Sequence, residues 1–139
     1  TDNWSVGGNY TRLDGRYDSN GDGATDSDLD GLNIAPDRLN LFLQGTAWDR
    51  LDARLQLSYL DDRNFEGPGA PTDANFDGYT VVDVVLAWNT DHGRFGLGVD
   101  NLLNEDYVTY FSQVEPGQRN DTFFAGPGRT LSFSWQGTF

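Results

Sequence analysis

Period-two hydropathy without a helical stripe, short and long connections in alternation, and aromatic residues sorted by height mark this chain as all-β. The expected architecture is an antiparallel up-and-down meander of about six strands, with its apolar side toward lipid.

The strands follow in order. In the first, Trp4, Val6, Gly8 and Tyr10 share one face, against Ser5, Gly7, Asn9 and Thr11. The second sets Leu39, Leu41, Leu43, Gly45 and Ala47 against Asn40, Phe42, Gln44 and Thr46. The third is the most regular, with Leu51, Ala53, Leu55, Leu57 and Tyr59 opposite Asp52, Arg54, Gln56 and Ser58. The fourth, YTVVDVVLAW, puts Thr80, Val82, Val84, Leu86 and Trp88 on one side. In the fifth, Phe95, Leu97 and Val99 face away from Gly96, Gly98 and Asp100. The sixth is RTLSFSWQGTF (129–139), with Leu131, Phe133, Trp135 and Phe139 on the apolar face. No segment has the period of a helix.

Two connections, WDRL (48–51) and NTDHGR (89–94), are tight. The other three, about 17–37, 61–78 and 104–128, are long and rich in Gly, Asp, Asn and Pro. Alternation of this kind places every short turn at one end of a meander and every long loop at the other, as in outer-membrane barrels.

The aromatics separate a membrane wall from a soluble sandwich. All four tryptophans, Trp4, Trp48, Trp88 and Trp135, map to the short-turn end. The six tyrosines, Tyr10, Tyr17, Tyr59, Tyr79, Tyr107 and Tyr110, lie toward or beyond the long-loop end. Two bilayer interfaces favour amphipathic rings at two levels; a water-soluble core does not sort them by height. Strands of about ten residues, tilted ~45°, rise roughly 25 Å, the height of a barrel's apolar band. Asp52, Arg54 and Asp83 stand mid-strand on the polar face. Toward lipid each would cost a few kcal/mol at the midplane, so that face belongs to the lumen.

Composition narrows the function classes. A formal charge of −13 opposes nucleic-acid binding and polybasic contact with anionic lipid. The chain has no cysteine, hence no disulfide framework or thiolate metal site. The longest apolar run, Val84–Trp88, is far short of the ~18 residues of a transmembrane helix. The pattern is under way almost from Thr1 with no signal peptide, which suggests a fragment or a processed piece. A spanning sheet must also close, and eight strands leave an interior only just wide enough for side chains. Six strands carrying Arg54, Gln56, Asp83 and Gln136 inward are too few, so the first and last should pair with strands outside this sequence.

Several stretches resemble the C-terminal end of TonB-dependent outer-membrane receptors. FGLGVDNLLNEDY (95–107) is similar to that family's penultimate strand and turn, and GPGRTLSFSWQGTF (126–139) to its last strand. YTVVDVVLAW (79–88) and NIAPDRLNLFL (33–43) resemble two preceding strands. The resemblance implies a 22-stranded barrel in the bacterial outer membrane, a plug, and a segment that contacts the TonB complex; neither of the last two is in this sequence. It also implies that the assembly machinery reads the final strand, here through Phe133, Trp135 and Phe139. The remaining partners it implies are outer-membrane lipid and lipopolysaccharide.

Two loop motifs stand out. In DSNGDGATDSDLDG (18–31), Asp18, Asn20 and Asp22-Gly23 match the first half of an EF-hand calcium loop. Leu29 occupies the position of the bidentate Glu, while Asp26, Asp28 and Asp30 offer oxygens in another arrangement. Calcium in loop 18–31 is one expectation; a solvated acidic loop is the other. The last long loop holds Tyr107, Tyr110, Phe111, Phe123 and Phe124, expected either to contact ligand or to anchor and self-pack. Catalysis is not expected: His92 lies in a turn, and the neighbours Asp61 and Asp62 point to opposite faces. The sequons at Asn3, Asn9 and Asn120 read as chance.

The expected function is import of a scarce ligand across the outer membrane, with ferric siderophores the implied class. One alternative is a secreted β-sandwich binding module, calcium-stabilised, using loop aromatics on carbohydrate. Another is a smaller self-contained barrel; it needs extra strands hidden in the long loops, and the stretches 66–78 and 113–121 are too rich in Gly, Pro and polar residues to supply them.

Overall fold

The computed structural model describes residues 3–29, 33–64, 66–68, 75–114 and 124–137. All six expected strands are present: β1 (Trp4–Thr11), β4 (Arg38–Ala47), β5 (Leu51–Leu60), β6 (Tyr79–Thr90), β7 (Gly93–Asp100) and β8 (Thr130–Gln136). They form one antiparallel sheet in the order β1-β4-β5-β6-β7-β8, each strand beside its neighbour in sequence. β2 (Arg16–Tyr17) and β3 (Ser27–Asp28) make a small hairpin inside the first long loop.

The register carries the argument about faces. Val6, Leu43, Leu55, Val84, Val99 and Leu131 form one continuous row across all six strands. The row toward the short turns runs Trp4, Gly45, Ala53, Leu86, Leu97, Phe133. On the opposite face Ser5, Gln44, Arg54, Val85, Gly98 and Ser132 align in the same way. A one-residue slip of any strand would break every row, so the pattern fixes the pairing.

Nothing among the described residues covers the apolar face. Twelve large apolar side chains on it are exposed, from Val6 at 79 % to Phe95 at 38 %. Only Leu60, Phe76, Ala87 and Val114 are buried apolar residues among those described. A sandwich needs a second sheet over this face; the only other sheet among the described residues is the hairpin β2–β3. The described residues thus give the sandwich alternative no second sheet. β1 and β8 are the two edges of an open sheet and do not pair with each other.

The turns explain the height sorting. Trp48 and Asp49 link β4 to β5 with φ of 51° and 56°, and the Arg50 amide donates to the Ala47 carbonyl. Positive φ at both central positions is what a type I′ hairpin uses, because its twist matches the strands. Between β6 and β7 the left-handed position is Gly93. Trp88 pairs with Leu51 and Phe95, and Phe95 with Trp135, so the indoles line the turn end. Gly45 makes room for one of them, since a Cβ there would run into the Trp4 ring.

Two expectations are corrected. The third long loop contains a helix, α1 (Tyr110–Val114). Five residues are too few to nucleate alone; α1 exists because Tyr110 and Val114, four apart, enter one cluster with Phe76 and Leu60. The first loop starts after Thr11 rather than near 17, and includes β2 and β3.

Candidate functional site

The long-loop end is one interlocked body. Arg63, from the second loop, donates to the Leu13 and Ala35 carbonyls of the first at 2.6 and 2.9 Å. Asp28 and Glu66 join the same two loops through the Asp28 amide (2.9 Å) and the Glu66 amide (3.0 Å). From the third loop, the Tyr110 hydroxyl donates to the Ile34 carbonyl at 2.7 Å. The Gln113 side chain accepts from the Asp77 amide and donates to its carbonyl, at 2.9 and 3.0 Å. Beneath these bonds lies the cluster of Leu60, Phe76 and Val114, flanked by Tyr79 and Tyr110. Phe76 meets Tyr110 edge-on at 5.0 Å, and Tyr79 lies against Tyr107 at 4.4 Å.

This packing divides the candidate ligand aromatics. Tyr107 and Tyr110 are half-buried within the loop body. Phe111 and Phe124 are open to solvent, at 65 % and 68 % exposure. The structure brings those two onto adjacent segments, since the Phe124 amide donates to Ser112 Oγ at 2.7 Å. Phe123 lies outside the described residues.

The acidic motif closes the β2–β3 hairpin. Asp18 Oδ1 accepts from the amides of Asn20 and Gly21, and Oδ2 from Gly23 at 2.7 Å. Asp22 accepts from the Ala24 amide and the Asn20 side chain. Asp26 takes the amide and hydroxyl of Ser19, both at 2.9 Å. The Gly23 amide, followed by those of Gly21 and Asn20, lowers the Asp18 pKa, and Ser19 does the same to Asp26. Asp28 faces Arg16 at 3.5 Å. These oxygens are turned to protein donors, and among the described residues no three acidic or imidazole groups are arranged to hold a metal ion. Asp30 lies outside the described residues.

The polar face carries two arginine centres. Near the turns, Asp52 accepts from Thr46 (2.9 Å), Asn89 (3.2 Å) and Arg94 (2.8 Å). One strand position further up, Arg54 donates to Gln44 (2.7 Å) and Gln56 (3.0 Å) and lies over the Phe42 ring at 4.8 Å. A hollow of about 450 Å³ opens here, lined by Ser5, Gln44, Asp52, Arg54 and Arg94 among others.

Asn101 is the residue that sequence reasoning missed. It is buried, with φ of 50°. Its side chain donates to the Glu105 and Pro127 carbonyls and accepts from the Glu105 amide, which pins both ends of the third loop. Its own amide donates to Asp83 at 2.9 Å. The signal was available: after a strand, Asn is the side-chain-bearing residue that best tolerates a left-handed backbone. Phe133 and Trp135 stand exposed on the edge strand β8, and Phe139 lies outside the described residues.

The described residues thus form an open antiparallel sheet, apolar on one side in continuous rows and polar on the other. No protein-family model matches the chain. Its structure is similar to that of the ferric-catecholate import receptor Fiu from Escherichia coli K12, in its closed form, with 25 % sequence identity and a TM-score of 0.65. The likeness covers 96 % of this chain and 18 % of that one, so this chain spans less than a fifth of the receptor's length. Among the described residues no helix is long and apolar enough to cross a membrane, a statement that does not bear on strands.

Proposed function

We propose that this chain forms the last strands of the barrel wall in a TonB-dependent receptor of the bacterial outer membrane. In this reading the barrel has 22 strands and holds a plug, and TonB supplies the energy for import. Ferric siderophores are the proposed ligand class, in keeping with the import receptor it resembles. In this reading the turn end faces the periplasm and the interlocked loops face outside, and the proposed ligand contacts are Phe111 and Phe124, whose exposure supports that role.

The observation that carries the reading is the uncovered apolar face, six strands wide and in register. Monomers in water leave contiguous apolar patches of only about a few hundred Å² exposed, and twelve large apolar side chains in register are exposed on this face. Hydrocarbon is the solvent that removes the penalty.

The test uses the full-length protein that contains this segment. It should fractionate with the outer membrane, need detergent for extraction, and migrate anomalously on gels until boiled. Cells carrying it should accumulate a labelled ferric catecholate only while TonB is present. A product that stays in the supernatant without detergent would end the membrane reading. Uptake that persists without TonB would replace the receptor by an open channel.

A further inference from the structure

We propose that Asn20 and Gly21 form a self-modification site, at which the Gly21 backbone nitrogen closes on the Asn20 side chain and its amide becomes a carboxylate. The chemistry needs water and no other reactant, and it is independent of the barrel reading.

Asn20 is the one asparagine in the sequence that precedes a glycine. A five-membered succinimide forms when the nitrogen of the next residue reaches the side-chain carbonyl carbon, and a Cβ on that residue obstructs the approach. Gly21 has none. Its φ is 80°, and the space where a Cβ would stand is open. Asn20 and Gly21 are both exposed, so water reaches them.

Three hydrogen bonds hold the reacting groups in their roles. The Gly21 amide, the nucleophile, donates to Asp18 Oδ1 at 2.7 Å, a carboxylate placed to take its proton. The Asn20 side-chain oxygen, where negative charge develops, accepts from the Asp22 amide at 2.9 Å. That bond folds the side chain back over the Gly21 peptide, as in an Asx turn. The departing nitrogen, Nδ2, donates to Asp22 Oδ2 at 3.1 Å. The last two bonds together fix which end of the amide is oxygen.

The bond between the Gly21 nitrogen and Asn20 Cγ forms as the Gly21 proton passes to Asp18. The Cγ–Nδ2 bond breaks, and ammonia leaves carrying a proton relayed by water. A water molecule then opens the ring at either carbonyl and leaves aspartate or isoaspartate at position 20. No step changes an oxidation state. The product lacks the side-chain bond from position 20 to Asp22 and adds a negative charge beside it, in the turn that closes hairpin β2–β3.

The test incubates the full-length protein that contains this segment at neutral pH. Peptide mass spectrometry with electron-transfer fragmentation reads aspartate and isoaspartate at position 20 over time. A free peptide of residues 17–28 is the unfolded reference. Conversion should run several-fold faster in the protein than in the peptide. D18N keeps an acceptor oxygen for the turn but removes the base, and should slow conversion in the protein about tenfold. Protection of the Asp26 amide, which donates to the Tyr17 carbonyl, reports whether the hairpin is intact. Conversion no faster than in the peptide would overturn the proposal. So would an unchanged rate in D18N with the hairpin intact, or isoaspartate confined to Asp22. If D18N opens the hairpin, the comparison of protein with peptide decides alone.

Discussion

The two ends of the sheet are built by different physics. At the turn end, backbone ladders and side-chain rows do the work, and the connections are two or three residues long. At the loop end, long irregular segments are held by side chains that reach for backbone groups: Arg63, Tyr110, Gln113 and Asn101. One end is stabilised by repetition, and the other by a few specific residues. Single substitutions should therefore be absorbed at the first and propagate at the second.

The largest expected effect is at Phe76, which is fully buried in the loop cluster. Phe76→Ala should cost about 3–5 kcal/mol of local stability. Hydrogen exchange should show residues 12–37 and 101–114 deprotected together, with the amides of β4 to β6 unchanged. Deprotection confined to 75–78 would show that the loops are independent after all.

Next comes the contrast between faces. Leu55→Arg places a charge in the middle of the apolar rows and should destabilise by about 2–4 kcal/mol in denaturant titrations in lipid vesicles. Ser58→Arg, on the polar face three residues away, should stay within about 1 kcal/mol, as a lumen substitution does. Equal penalties would remove the distinction between lipid and lumen.

Asn101→Ala should cost about 1–3 kcal/mol by leaving the Glu105 amide and two carbonyls short of a partner. Asn101→Gly keeps the positive φ but not the bonds, so it should recover part of the loss. Limited proteolysis of the third loop would rank the three proteins.

The smallest effect is pH-dependent. Asp18 and Asp26 have pKa values lowered by bonds that exist only in the folded hairpin. A lowered folded pKa gives stability that is present above the unfolded value, near 4, and is lost as pH falls through the folded value. Protection of the Ser19, Gly21 and Gly23 amides should hold from pH 7 to about 5 and fade below 4. Asp18→Asn should flatten that profile for Gly21 and Gly23 and leave Ser19 unchanged.

Legibility followed the same division. The strands were readable because alternation persists over seven to twelve residues and each strand pairs with its successor. Register came with it, since the apolar rows admit one alignment. α1 was not readable, because one turn offers a single i, i+4 pair and no period. Neither was hairpin β2–β3, whose strands have two residues each. Asp, Asn and Gly at short spacing serve a tight turn as well as a cation, and sequence does not separate the two uses. Tyr110 and Phe111 are adjacent, yet one is covered and the other open. The cover is Phe76, from a stretch rich in Asp and Pro that no periodicity marks. Arg54 was readable as a charge on the polar face, but its neutral partners follow only from the cross-strand alignment of Gln44 and the approach of Phe42.

In the proposed barrel, the four indoles clustered beside the short turns give the segment a built-in depth gauge. Their emission should respond as one population to a quencher placed at a single level of the bilayer. During insertion into vesicles, that signal would time the arrival of the hairpin tips on the far side, separately from the ordering of the opposite rim.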